Sequence, residues 1–135
     1  MAFTLKTVGI YQRGRETVAL VASGTAYSSA LPAAAHAVLD TAAGTRKIVL
    51  QAKPSAVSGT NLDVALYGAD DEAGTDKYLL LDAVIADLTT TAKVSGIVDL
   101  NLYPAPFYFV GFLVDADESA NTVELTALIP PIGSR

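Results

Sequence analysis

The chain has 135 residues, enough for one domain with its own core, and no cysteine, which excludes disulfides and thiolate metal sites. Its 9 Lys and Arg face 14 Asp and Glu for a net charge of −5, and the small basic groups Arg13–Arg15 and Arg46–Lys47 are too few to hold a phosphate backbone, so no nucleic-acid partner is expected. A mean hydropathy of +0.39 with only 17% charged residues points to surface covered by other subunits, while no run approaches the roughly 20 apolar residues that cross a bilayer, so no membrane partner is expected either.

Short β-rich runs separated by Gly, Pro, Asp and Asn recur along the whole chain. Residues 3–10 form the first, closed by a turn at Gln12-Arg13-Gly14-Arg15. Residues 16–22 form the second, with Val18, Leu20 and Ala22 on one face and a turn at Ser23-Gly24-Thr25. Residues 26–35 read as loop, because Pro32 breaks any regular element. Residues 33–39 are Ala-rich and hold the one competing helix, but the run is short, so an extended segment ending in a strand over 37–41 is preferred.

Residues 46–53 make a strand with Ile48 and Leu50 inward. Residues 61–68 alternate strictly: Leu62, Val64 and Leu66 fall on one face, Asp63, Ala65 and Tyr67 on the other. An Asp- and Gly-rich loop follows over 69–76, then strands over 78–84 and 93–100. Residues 107–114 are the most apolar run and read as a central strand, buried on both faces. A polar hairpin loop over 115–121 leads to a last alternating strand over 122–129, and Pro130-Pro131 opens a tail over 130–135 that cannot continue a ladder.

Eight or nine strands at short spacing, with no amphipathic helix between them, predict an all-β fold: one antiparallel β-sandwich, jelly-roll-like, over 1–135. The first thirty residues are less patterned and are expected to form an N-terminal arm or attachment segment. The N-terminus lacks a basic segment followed by an apolar core, so no secretory signal is expected.

Chemistry-bearing residues are sparse. His36 is the single histidine, with no second His or Cys to complete a metal site and no Gly-x-Ser-x-Gly elbow for a nucleophile. The acidic groups Asp70-Asp71-Glu72 with Asp76, and Asp115, Asp117, Glu118, lack the EF-hand spacing and read as solvated turns. The aromatics Tyr103, Phe107, Tyr108, Phe109 and Phe112 read as core filling rather than a sugar platform. No catalytic, metal or cofactor residue is assigned, and no enzyme activity is expected.

Strand 47–51, then Val57-Ser58-Gly59-Thr60-Asn61-Leu62-Asp63-Val64, an acidic loop, the aromatic run Phe107-Tyr108-Phe109-Val110 and the closing Thr122-Val123-Glu124-Leu125 together resemble the head decoration (cement, auxiliary capsid) proteins of tailed bacteriophages. The resemblance covers residues 46–129 and is one of strands and turns. The chain departs from it in having no proline between Thr60 and Leu62. It implies a virion structural protein on the outer capsid surface, assembled in the host cytoplasm, with the major capsid protein and copies of itself, as a homotrimer, for partners. On that reading the capsid or inter-subunit contacts are Phe3, Leu5, Val8, Ile10, Tyr11, Tyr27 and Leu31, apolar residues outside any clear core periodicity. The alternatives are another virion component (tail, connector or baseplate subunit) and a carbohydrate-binding β-sandwich module, which would show exposed, coplanar aromatics.

Overall fold

The structure, a computed structural model, describes residues 3–8, 11–32 and 47–130. The regular elements among these residues are β1 (Thr4–Val8), β2 (Tyr11–Ala19), β3 (Gly24–Tyr27), β4 (Lys47–Pro54), β5 (Leu62–Ala69), β6 (Tyr78–Leu88), β7 (Val94–Asp99), β8 (Phe107–Val114) and β9 (Thr122–Ile129), with a 3-10 turn at Leu100–Leu102. They form a sandwich of two antiparallel sheets. Sheet A has the order β1-β2-β9-β4-β7 and sheet B the order β3-β8-β5-β6.

Period-two alternation builds the core. Ile48, Leu50 and Ala52 of β4 and Val123, Leu125, Ala127 and Ile129 of β9 turn inward from sheet A. Leu62, Val64 and Leu66 of β5 and Tyr108, Val110 and Phe112 of β8 meet them from sheet B. Fully burying a side chain of this size is worth about 1.5–3 kcal/mol, and this interdigitated layer is what holds the two sheets together. Buried Tyr108 keeps its hydroxyl satisfied by donating to the Tyr103 carbonyl at 2.8 Å and accepting from the Ala105 N–H at 3.1 Å.

The sandwich closes on one side where β6 meets β7. There a Cβ on Gly96 would come within 2.6 Å of the Val84 carbonyl oxygen, so only glycine allows the two backbones to approach. On the other side β3 is the edge of sheet B and packs near β2. Sheet A carries one strand more, which leaves β1 outboard.

Several expectations change. The expected turn at Gln12–Arg15 lies inside β2, where Gly14 pairs with Leu5 on one side and Ala127 on the other. Gly14 is not punctuation; a Cβ there would stand 2.8 Å from Pro32 Cγ and 3.3 Å from Phe3 Cδ1. The expected turn at Ser23-Gly24-Thr25 is shorter, because Gly24 already opens β3. Ala22 is exposed, while Val18 and Leu20 are buried as their alternation implied. The strand expected over 78–84 runs on to Leu88 through register shifts against β5. Within the first thirty residues, β1, β2 and β3 are all sheet members, and β1 is the outermost strand of sheet A. The helix-or-strand segment over 33–41, His36 and Ile10 lie outside the described residues.

Candidate functional site

Three places in the fold gather polar or exposed apolar chemistry. The first is β1. All five of its residues are exposed, and among the described residues it pairs only with β2. Leu5 is 51% exposed, Val8 43% and Tyr11, at the start of β2, 39%. Val8 and Tyr11 are cross-strand partners, so their side chains share the outer face of sheet A. Leu5 and Phe3 turn the other way, toward Gly14 and Pro32, and Phe3 is half-buried against the core.

The remaining contact candidates lie elsewhere. Tyr27, 40% exposed, sits on the outer face of sheet B. Leu31 is a core residue at 2% exposure and so is not offered to a partner; its N–H donates to the Tyr108 carbonyl at 2.8 Å, which carries the β3 pairing past the strand's end. Proline-bearing sequence suggested a loop there, but the loop is bound closely to β8.

The second place joins Tyr27, Tyr67, Phe109 and Lys77. The rings of Tyr27 and Tyr67 meet edge to face, with centroids 5.1 Å apart and planes at 81°. They are therefore not the coplanar pair that a sugar platform needs. The Lys77 ammonium lies 4.5 Å from the Tyr27 centroid and 4.9 Å from that of Phe109, and donates to the Gly74 carbonyl at 2.9 Å. This pincer fastens the β5–β6 loop to sheet B and buries Phe109 on its outer side. Burial, with the neighbouring Tyr27, raises the Tyr67 hydroxyl pKa despite a hydrogen bond from Thr25. Two open clefts, of about 520 Å³ and 380 Å³, share Ser28 and Ser29, and Tyr27 lines the larger. In the larger, Glu16 is buried and its carboxylate accepts from the Ser29 N–H at 2.8 Å and the Ser29 hydroxyl at 2.5 Å. That pair ties β2 to the segment after β3.

The third is the Ser58-Gly59-Thr60 turn. Its N–H groups converge on the β8–β9 loop: Ser58 N donates to both Glu118 oxygens at 2.9 and 3.1 Å, and Gly59 N to one at 2.9 Å. Asn121 Nδ2 donates to the same carboxylate at 2.7 Å, and Thr60 N and Oγ1 donate to Asp115 at 3.3 and 3.2 Å. A Cβ on Gly59 would collide with the Asp115 carboxylate, which explains the glycine. Glu118 is completely buried. Burial works to raise its pKa, but the Ser58, Gly59 and Asn121 hydrogen bonds outweigh it and hold the carboxyl below its ordinary value. Asp115, Asp117 and Glu118 are thus all engaged with backbone and side-chain donors; Asp117 accepts from the Ser119 N–H and hydroxyl. Among the described residues no three His, Cys, Asp or Glu side chains gather as a metal site, and no helix is long and apolar enough to cross a membrane.

This clamp makes stability pH-dependent. Glu118 has a folded pKa below its ordinary 4.5, so its contribution is complete above about that pH and is lost as pH falls through the folded value. Asp115, Asp117 and Asp71 are lowered too and act in the same direction, weakly because they are exposed. Denaturant midpoints measured between about pH 7 and pH 3 should therefore fall with acid, and fall less in Glu118→Gln. An equal fall in both proteins would contradict this.

No family model and no curated protein matches the chain. Among solved structures it is similar to a mutant of CBM29-2, from work on ligand recognition by family 29 carbohydrate-binding modules, with 13% identity, a TM-score of 0.40, and 99% of this chain and 79% of that chain covered. A likeness at that level carries no statement about function.

Proposed function

We propose that the chain is a non-catalytic structural subunit of a tailed-phage virion, a decoration protein that binds the major capsid protein lattice through β1 and stabilises it. The observation that carries the reading is the character of β1. A regular five-residue edge strand, exposed at every residue and bearing Leu5 and Val8, is a liability in a free monomer. The other edges are managed: β3 has four residues, β6 is broken by register shifts, and β7 is closed against β6. An open edge offers a row of N–H and C=O groups to an added strand, with side chains at alternate positions for specificity. The family resemblance supplies the lattice as the partner. A subunit that binds only the assembled shell stabilises it by mass action, and repetition over the lattice adds avidity.

Deleting residues 1–8 tests this. The cut removes β1 and leaves β2 paired with β9. Co-sedimentation with tailed-phage capsids lacking their decoration protein should show saturable binding by the full chain and none by the deletion, with the melting transition retained. Binding of the folded deletion at undiminished affinity would refute the assignment to β1, and failure of the full chain to bind would refute the lattice reading.

A further inference from the structure

The two sheets carry opposite charge. In register across the outer face of sheet A run Lys6, Arg13, Leu128, Val49 and Ile97, one residue from each strand. Beside this row runs Arg15, Thr126, Gln51 and Ser95, with Lys53 opposite Glu124 on the next. The face thus has its bases toward β1 and β2 and along β4, beside apolar surface that runs from Leu128 and Val49 to the β7 edge, where Ile97 is 65% exposed. Its acids are Glu124, 3.6 Å from Arg15, and Asp99, opposite Lys47.

Sheet B is the reverse. Asp70, Asp71, Glu72 and Asp76 lie in the loop that joins β5 to β6, Asp82 lies along β6, and Asp63 and Asp87 meet at the far end of the pair, where the Asp87 N–H donates to Asp63 at 2.9 Å. The base in this region, Lys77, is held on the Gly74 carbonyl and between two rings. Exposed Tyr78 and Leu79 stand among these acids. Each side therefore joins exposed apolar surface to charge of one sign, and the signs are opposite.

We infer that the outer face of sheet A docks on the acidic β5–β6 side of a second copy of this chain, head to tail. Two basic faces, or two acidic ones, would repel, so a two-fold contact of either face with itself is disfavoured, whereas the heterologous contact pairs opposite charges beside apolar surface. A heterologous contact leaves one free face of each kind after every addition, so it propagates until a ring closes. Lys6 aside, the contact lies on strands β2, β9, β4 and β7, so it is independent of the β1 edge and of the lattice reading.

The test uses two variants of the full chain. Arg13→Glu with Arg15→Glu reverses the basic face; Asp76→Lys with Asp82→Lys reverses the acidic one. Light scattering should show the native chain assembling beyond a dimer, with association weakened at least about tenfold between about 0.05 M and 0.5 M salt. Each variant alone should be monomeric, and an equimolar mixture should associate again, because the native faces of the two pair and their reversed faces are opposite in sign as well. A native monomer, a salt-insensitive assembly, or a mixture that stays monomeric would overturn the inference. Ile97→Asp, at an exposed position, serves as the second basic-face variant if charge reversal disturbs folding.

Discussion

Glu118→Ala should lower the melting temperature by about 10 °C, corresponding to about 3 kcal/mol. The carboxylate is fully buried and accepts from Ser58 N, Gly59 N and Asn121 Nδ2. Alanine leaves those three donors without their acceptor. A net hydrogen bond is worth only about 1 kcal/mol, but a stranded buried donor costs about 1–3 kcal/mol, and water entering the gap recovers part of it. The effect should be confined to one end of the sandwich. Ser58 and Gly59 lie between β4 and β5, and Glu118 lies between β8 and β9, so amide exchange should accelerate in those two loops before it does in the sheets. Glu118→Gln should retain one acceptor oxygen and lose about half as much stability. Thermal unfolding of the three proteins at neutral pH checks the order; a drop of under about 1 kcal/mol for alanine would show that the clamp is ornamental.

Phe112→Ala should cost about 4 kcal/mol, within the range for emptying a fully packed aromatic site. Phe112 is completely buried on the inner face of β8 and pairs in register with Ala26 on β3 and Val64 on β5. β8 is the strand that connects β3 to the rest of sheet B, so a void beneath it loosens the sheet as well as the core. Phe112→Leu, which refills most of the volume, should recover more than half of the loss. Equilibrium denaturation decides it, and equal stability of the alanine and native proteins would place the core elsewhere.

The two-sheet architecture was legible because alternation and burial coincide along β4, β5, β8 and β9. Leu62, Val64 and Leu66 face inward as the spacing implied, and so do Ile48 and Leu50. Opposite faces for Phe109 and Tyr108 were legible too, but not that Lys77 would cover the outer one. The misses come from glycine and proline read as local signals when their reasons were tertiary. Gly14 stands inside a strand because Pro32 and Phe3 crowd it, and Leu31 is core because the chain after β3 stays bonded to β8. The same blindness hid the role of Ser58-Gly59. Its turn chemistry was evident, but the acid it binds lies about sixty residues further on, and no local pattern reports a partner at that distance.

The position of β9 has a consequence for how the chain is made. The last of the nine described strands in chain order sits in the middle of sheet A, between β2 and β4. Until residue 129 has left the ribosome, β1–β2 and β4–β7 are separate two-stranded pairs with no shared edge, whereas every strand of sheet B is already available. Sheet B must therefore wait with Val64, Leu66 and Phe112 uncovered, and closure depends on pairing residues more than a hundred positions apart. Folding of the sandwich waits for β9 and is slow for its size, as non-local pairing requires. A nascent chain stalled before Thr122 is the species most exposed to aggregation, because its half-built sandwich still presents an apolar face.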